Sequence, residues 1–271
     1  MNRKTALITG ASSGLGTAFA RSAATLGHDV VLVARRLDRL QALAIELSSD
    51  FSIVATPVGL DLARPDAHAI LAAELAERKI NVDILVNNAG YTLAKPFLDY
   101  DCPSQRAFVE VMSTQPMALI HQFLPGMRAR RWGRILNISS VVAFSNGAAG
   151  HTLYPATKAF MLKMSRSLAA ENKRFGIHVS AICPGSTATE FMQANGIEGK
   201  DGKSAAGPTQ TPEAVVAEAW RRNERGDEVI VTGWLNKVAV GVLRYAPEFL
   251  TTPLIRKVAE KANASHGTDL S

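Results

Sequence analysis

The sequence predicts an α/β protein with a doubly wound parallel sheet. Seven short runs of apolar, mostly β-branched residues are separated, in most cases, by longer segments whose apolar residues recur with the period of a helix. The first run is almost wholly apolar, as is typical of a strand buried on both faces of a sheet. Strands that alternate with helices indicate βαβ units, with helices on both faces. The predicted strands cover residues 6–9, 30–33, 53–55, 84–86, 135–138, 179–182 and 229–231.

The composition indicates a folded protein with a large apolar core. The 271 residues are 47% hydrophobic and 20% charged, which excludes a disordered polyampholyte and allows one or two domains. The two cysteines are too few for a disulfide framework, and neither they nor the six histidines have metal-ligand spacing. We see no signal-peptide pattern and no run of about 18 apolar residues. We therefore expect a cytoplasmic protein without a metal site.

The chain is basic, since 30 Lys and Arg against 24 Asp and Glu give a net charge of +6. A nucleic-acid patch is one interpretation of the four arginines around Trp132, which are Arg128, Arg130, Arg131 and Arg134. The sequence lacks aromatic interleaving and any recognition motif. We therefore expect a solvated turn between a helix and the fifth strand, and no nucleic-acid partner.

A glycine-rich turn, residues 9–16 with the sequence TGASSGLG, joins the first strand to a helical segment. Glycines let the backbone turn tightly and approach a pyrophosphate, while free N–H groups and the helix dipole favour its negative charge. Taken alone, such a turn is equally well explained as a helix cap. In this context we expect phosphate binding by Gly10, Ser12, Ser13, Gly14, Leu15 and Gly16.

Four further motifs follow at the ends of later predicted strands. They are Asp61-Leu62, the NNAG sequence at 87–90, the YxxxK sequence at 154–158 and the PGxxxT sequence at 184–189. Together with the TGxxxGxG turn, and in this order, they make residues 4–233 resemble the short-chain dehydrogenase/reductase family. The resemblance implies a seven-stranded Rossmann-type sheet, an NAD(P)-dependent oxidoreductase, and a homodimer or homotetramer.

The resemblance also implies which residues contact the cofactor beyond the glycine-rich turn. The Asp61-Leu62 motif after the third strand is similar to the family's acidic position that contacts the adenine, and the YxxxK residues hold the nicotinamide ribose. The PGxxxT segment contacts the carboxamide. The residues concerned are Asp61, Leu62, Asn88, Ala89, Gly90, Tyr154, Lys158, Pro184, Gly185, Thr187 and Thr189.

Tyr154 and Lys158 are four residues apart on one predicted helix, so their side chains share a face. A cation beside a phenol favours the phenolate, and we expect Lys158 to lower the pKa of Tyr154 toward neutrality. The resemblance makes Tyr154 the general acid/base and places Ser140 on the substrate oxygen. The intervening segment is 13 residues where the family usually has 12. A register shift would assign that role to Ser139, but Ser140 is favoured.

A second departure from the family pattern lies at Met112, where the family commonly has an Asn that supports a proton-relay water. A backbone carbonyl or Ser113 is a possible substitute, and Met112 is equally explained as helix core. The departure leaves an alternative function open: without the proton relay, the protein would be a catalytically weak or inactive NADP(H)-binding regulatory or scaffold protein.

The end of the second strand carries Arg35 and Arg36 where NAD-preferring relatives have an acidic residue. Arginine offers a planar cationic fork to a 2′-phosphate and removes a carboxylate that would repel one. A solvated helix start is the alternative, but cations at a helix N-terminus oppose its dipole. We therefore expect NADP(H) to be preferred over NAD(H).

The remaining segments complete a single domain over residues 1–271. Residues 186–212 are glycine-rich and are predicted to form a substrate loop rather than a plain linker. Residues 234–271 are predicted to form a helical extension that packs on the body or a second subunit; peripheral membrane contact is possible but not favoured. The substrate is expected to be a small to medium apolar carbonyl or secondary alcohol. Candidate pocket residues are Phe144, Leu153, Phe191 and Met192.

Overall fold

A computed structural model describes residues 3–93, 95–147, 149–187, 209–247, 249 and 252–253. Its seven strands form one parallel sheet in the order β3-β2-β1-β4-β5-β6-β7, which confirms the predicted fold class. The strands are β1 Thr5–Thr9, β2 Asp29–Ala34, β3 Ala55–Gly59, β4 Ile84–Asn87, β5 Gly133–Ile138, β6 Ile177–Cys183 and β7 Val229–Val231.

Helices cover both faces of the sheet. They are α1 Gly14–Thr25, α2 Leu37–Phe51, α3 Ala67–Glu77, α4 Cys102–Val109, α5 Gln115–Arg130, α6 Leu153–Asn172, α7 Pro212–Glu224 and α8 Trp234–Tyr245. One apolar cluster joins α1, α2 and α7 to the sheet, with Phe19 and Trp220 in edge-to-face contact. A second cluster joins α3, α5 and α6 to the other face. The core therefore has two layers, one on each side of the sheet.

The prediction for the third strand was wrong in its position. Residues 53–55 were predicted, whereas β3 runs from Ala55 to Gly59 and contains Pro57. Proline has no N–H for a ladder, but β3 is an edge strand that pairs only with β2, so an edge position tolerates it. Ile53 is buried in the core and the Val54 carbonyl accepts from the Val30 N–H at 2.9 Å, so the apolar run leads into β3, whose paired residues begin at Ala55.

The order of the strands fixes the place of the site. The chain moves outward from β1 through β2 to β3, and then returns to place β4 on the other side of β1. The connections after β1 and β4 therefore diverge and leave a crevice at the carboxyl ends of these strands, where doubly wound sheets bind ligands. The glycine-rich turn, the NNAG segment, Ser140 and the PGxxxT segment all begin at this edge.

The arginines near Trp132 only partly form the solvated turn expected from the sequence. Arg134 is 7% exposed, stacks on Trp132 and makes a two-bond ion pair with Glu224, with both N–O distances 2.9 Å. Its burial follows from its place in β5, whose start lies beneath the end of α7. The expectation of a solvated turn is therefore wrong for Arg134.

The predicted helical extension begins as α8, but its apolar residues do not all pack on the body. Val240 is buried, whereas Trp234, Val238, Val242 and Tyr245 are exposed. Most of the predicted extension after Tyr245 lies outside the described residues. In the part of the chain that the structure describes, no helix combines the length and the hydropathy needed to span a membrane.

Candidate active site

The glycine-rich turn has the close backbone packing that its sequence predicts. Gly10 and Gly14 have φ values of +67° and +55°, a region that side chains disfavour. Gly16 lies in the first turn of α1, and a Cβ added there would stand 2.1 Å from the Gly10 carbonyl oxygen. The turn thus presents bare backbone at the start of a helix. Ser12 and Ser13 are half-buried, and Leu15 packs partly against the core.

Thr9 and Asn88 join the glycine-rich turn to the NNAG segment. The Thr9 hydroxyl accepts hydrogen bonds from the backbone N–H groups of Asn88 and Ala89, both at 3.0 Å, and donates to the carbonyl of Val86. The Asn88 side-chain amide donates to the carbonyl of Thr9 at 2.9 Å and to that of Gly10 at 3.3 Å. These bonds hold the two loops as one unit. This role of Thr9 was not predicted from the sequence.

Arg36 occupies the N-cap position of α2 and turns its guanidinium toward the glycine-rich turn. It donates to the Ser12 hydroxyl at 3.0 Å and to the Ser13 hydroxyl at 3.1 Å. Arg35 is exposed beside it. A cation at a helix N-terminus opposes the helix dipole. The positive charge of Arg36 thus lies beside the glycine-rich turn, which is expected to bind phosphate, and a bound anion would offset the unfavourable effect of the dipole.

Of the two residues of the Asp61-Leu62 motif after β3, one is exposed and one is buried. Asp61 is exposed and caps its own turn by accepting from the Ala63 N–H at 3.0 Å. Leu62 is 6% exposed and belongs to the core cluster beneath the sheet edge. Gly90, at the end of the NNAG segment, is exposed and faces Met112.

Helix α6 brings Tyr154 and Lys158 beside the end of β5. The Lys158 ammonium donates to the carbonyl of Ile138 at 2.8 Å and lies 5.6 Å from the centre of the Tyr154 ring. The Ser140 hydroxyl is in hydrogen-bonding reach of the Tyr154 phenol. Ser140 also lies 3.5 Å from the carbonyl oxygen of Pro184, which connects it to the PGxxxT segment.

The environment shifts the pKa values of Tyr154 and Lys158 in opposite directions. Burial raises the pKa of Tyr154 to about 12, and the hydrogen bond from Ser140 only partly opposes this rise. Burial lowers the pKa of Lys158 to about 8. The expectation that Lys158 lowers the pKa of Tyr154 toward neutrality is wrong, because desolvation of the buried phenol dominates.

The two neighbouring serines at the end of β5 have different partners. Ser140 faces Tyr154, whereas the Ser139 hydroxyl donates to the backbone carbonyl of Lys158 at 2.7 Å. Of the two assignments that the longer loop left open, the structure brings Ser140 to the phenol. The extra residue is accommodated in the segment 141–153, which begins with a 3-10 turn over Val141–Phe144.

The start of the PGxxxT segment is fixed to Gln210, which lies just before α7, and to α8. The Thr187 backbone forms an isolated bridge with Gln210, whose N–H donates to the carbonyl of Ser186 at 2.9 Å. Gly185 packs so closely on Asn236 of α8 that an added Cβ would lie 2.5 Å from its side-chain oxygen. Thr189, most of the predicted substrate loop, and Phe191 and Met192 lie outside the described residues.

Met112 lies in a π-helical turn, Glu110–Thr114, between α4 and α5. It is 3% exposed, and its sulfur would stand 2.8 Å from a Cβ added to Gly90. Met112 therefore fills space behind the NNAG segment, as expected for a buried core residue. Ser113 is also buried. Turns of this kind are frequent at functional sites, because they change the direction of backbone carbonyls.

The candidate pocket residues that the structure describes differ in their surroundings. Leu153 lines a small pocket with Leu93 and Thr152. Phe144 packs against the cluster formed by Leu162, Ala181, Cys183, Val231 and Val240. Across the described ranges, no group of three or more His, Cys, Asp or Glu side chains is arranged to hold a metal ion.

Comparison with known proteins identifies the family. The short chain dehydrogenase family profile matches residues 4–198. The 3-oxoacyl-(acyl-carrier-protein) reductase FabG of Aquifex aeolicus is 33% identical over 188 residues, which cover 69% of this chain and 75% of that protein. The 7beta-hydroxysteroid dehydrogenase of Mediterraneibacter gnavus is 29% identical over 235 residues, or 86% of this chain and 88% of that protein.

A solved structure has the same fold over nearly the whole chain. The short-chain dehydrogenase from Sphingobium yanoikuyae, determined in complex with NADPH, superposes with a TM-score of 0.79 at 32% identity and covers 92% of this chain and 95% of its own. The profile match, the relatives and the fold agree with the motifs at the sheet edge. The chain therefore belongs to the short-chain dehydrogenase family of oxidoreductases.

Proposed function

We propose that this protein is an NADP(H)-dependent oxidoreductase that transfers a hydride between the nicotinamide and a carbonyl or secondary alcohol. The observation that carries the proposal is the grouping of Ser140, Tyr154 and Lys158 at the sheet edge that also holds the glycine-rich turn. The proposed substrate is small to medium in size and apolar. Tyr154 is the proposed general acid/base.

The residues present fit a dinucleotide cofactor. The contact between Gly16 and the Gly10 carbonyl leaves no room for a side chain, and it exposes the start of α1 to a pyrophosphate. Arg36 at Ser12 and Ser13 supplies the positive charge that a 2′-phosphate requires. The NADPH complex of the Sphingobium yanoikuyae protein supports the same cofactor here. We propose NADP(H) as the preferred form, with Asp61, the NNAG segment and residues 184–189 completing the contacts.

When bound, the nicotinamide supplies hydride to a carbonyl carbon or accepts it from an alcohol. The chain's own residues handle the proton and the oxygen. With a pKa of about 12, Tyr154 is protonated at neutral pH and is ready to donate its proton to a carbonyl oxygen. Ser140, which already reaches the phenol, is placed to donate a second hydrogen bond to that oxygen as negative charge develops. A protonated Tyr154 is the form that carbonyl reduction requires of the proton donor.

Lys158 has two proposed roles in this scheme. Its ammonium is fixed on the Ile138 carbonyl, which places its charge near the ring of Tyr154 and leaves further N–H donors for the nicotinamide ribose. Its positive charge also stabilises the phenolate that remains after Tyr154 has given up its proton. We further propose a homodimer or homotetramer in the cytoplasm, in line with the family.

A turnover experiment tests the proposed function. NADPH consumption is followed with a panel of ketones and aldehydes, and Tyr154→Phe is compared with Tyr245→Phe, which changes an exposed tyrosine on α8. We expect turnover that Tyr154→Phe lowers by about 100-fold or more while Tyr245→Phe keeps it.

The buried Met112 in place of the usual Asn favours one second candidate, a catalytically weak or inactive NADP(H)-binding regulatory protein. Tight NADPH binding with no turnover across the whole panel would support that candidate and contradict the proposed enzyme.

A further inference from the structure

Ser139 is a buried serine whose hydroxyl bonds to the main chain of the catalytic helix. It is 2% exposed, and its Oγ donates to the carbonyl oxygen of Lys158 at 2.7 Å. Its own N–H donates to the carbonyl of Ile182 at 2.7 Å, which holds it to the end of β6. Ser139 therefore connects the rigid sheet to the residue of α6 that carries the ammonium.

Ile138, the last residue of β5, and Ser139, which follows it, hold Lys158 by its ammonium group and by its main-chain carbonyl. Ile138 accepts from the Nζ atom at 2.8 Å, and Ser139 donates to the main-chain carbonyl. The next residue, Ser140, reaches the phenol of Tyr154 one helical turn earlier. A shift of α6 along or around its axis would break these contacts together.

A second attachment lies two turns further along the same face of α6. The Asn137 side chain donates to the Ser165 hydroxyl at 2.9 Å, and both residues are fully buried. Asn137 in turn accepts from the Asn87 amide at 2.8 Å, which ties the attachment to β4. Two attachments on one helix face fix both the axial position and the rotation of α6. The Ser139 bond is the one next to Lys158 and Tyr154.

We propose that Ser139 is a positioning residue, which holds α6 against β5 so that Tyr154 and Lys158 stand opposite Ser140. The inference rests on the proposed function only for its kinetic consequence, because the attachment itself can be measured without turnover. The Cys183 thiol, also in hydrogen-bonding reach of Ser139, has its pKa raised to about 12 by burial, so it stays neutral and does not compete for Lys158 as an anion.

Ser139→Ala is expected to remove the hydrogen bond to the Lys158 carbonyl and to leave the helical hydrogen bonds of α6 in place. Within α6, the Lys158 carbonyl also accepts the regular helical bond from the N–H four residues later. Removing the hydroxyl therefore leaves this buried acceptor satisfied, and we expect the variant to fold. Ser139→Thr keeps a hydroxyl at the same place. Ser167→Ala, an exposed serine on α6, is the matched control.

Three measurements on the full-length protein test the role of Ser139: amide hydrogen exchange over residues 154–160, the dissociation constant for NADPH, and the pH profile of kcat and KM. For Ser139→Ala we expect faster exchange in this segment and a kcat lowered by about tenfold or more. A shift in the pH profile should accompany the loss, because the surroundings of Lys158 change. We also expect the NADPH dissociation constant to rise, because Lys158 is a proposed donor to the nicotinamide ribose. Ser139→Thr should restore most of kcat, and Ser167→Ala should resemble wild type.

The outcomes separate this inference from the proposed function. Suppose that the wild type turns over and that Ser139→Ala has the same hydrogen exchange, kcat and pH profile. This result would overturn the positioning role and leave the enzyme assignment intact. A wild-type protein without turnover would contradict the proposed function, and the exchange measurement would then decide the attachment alone. A uniform loss of stability and activity that Ser139→Thr does not restore would also overturn the inference.

Discussion

Replacing Arg36 by alanine should change the cofactor preference by an amount that the structure allows us to estimate. Arg36 lies at the N-cap of α2 and reaches the hydroxyls of Ser12 and Ser13 at 3.0 and 3.1 Å. A hydrogen bond to a charged group contributes about 1.5–3 kcal/mol. Since each 1.4 kcal/mol corresponds to about tenfold in affinity, we expect NADPH to bind about 10–150-fold more weakly. NADH lacks the 2′-phosphate, so its affinity should stay within about threefold.

The assay is a titration of each variant with NADPH and NADH, followed by cofactor fluorescence. Arg78→Ala removes an exposed arginine that follows the end of α3 and pairs with Glu74, and it serves as the control. Combining Arg35→Asp with Arg36→Ala should reduce the preference further, because a carboxylate repels the phosphate. Equal losses of NADPH and NADH affinity would refute the reasoning, since they would show that Arg36 supports the loop and does not recognise the phosphate.

Two further predictions concern packing and titration. Gly16→Ala should abolish cofactor binding and lower the free energy of unfolding by about 1–3 kcal/mol, because its Cβ would stand 2.1 Å from the Gly10 carbonyl oxygen. Gly241→Ala, a helical glycine with no atom within 4 Å of its added Cβ, should be neutral or stabilising in the same urea denaturation assay. Burial lowers the pKa of Lys158 from 10.5 to about 8, so the charged ammonium is less favourable in the folded state than in the unfolded state. Wild type should therefore gain about 3 kcal/mol over Lys158→Met as the pH rises from 8 to 10.5. A difference in unfolding free energy between the two proteins that stays the same across this pH range would contradict the shifted pKa of Lys158.

The sequence predicted those features that depend on local pattern and on the order of motifs. The fold class and the grouping of the glycine-rich turn with Ser140 and Tyr154 followed from motifs placed after parallel strands, whose carboxyl ends share one edge. The third strand was misplaced because Ile53 and Val54 look more strand-like than a segment that contains a proline. Only the edge position of β3, which is a property of the whole sheet, makes Pro57 acceptable there.

The direction of the pKa shift of Tyr154 and the contacts that support the site residues could not be predicted from the sequence. A cation four residues from a phenol suggested a lowered pKa for Tyr154, but the degree of burial, which decides the sign, depends on the packed structure. The bonds of Thr9 to the NNAG segment and of Ser139 to α6 join residues far apart in the chain. A threonine before the first glycine and a second serine beside Ser140 were visible in the sequence. Their partners were not.

The most direct test of hydride transfer with proton donation by Tyr154 is an isotope measurement. NADPH deuterated at the transferring carbon of the nicotinamide is incubated with an accepted ketone, and deuterium is located in the product by mass spectrometry and NMR. We predict deuterium on the carbinol carbon of the alcohol, and a rate in Tyr154→Phe that is lower by about 100-fold or more. Alcohol without deuterium at that carbon, or a wild-type rate in Tyr154→Phe, would contradict the account.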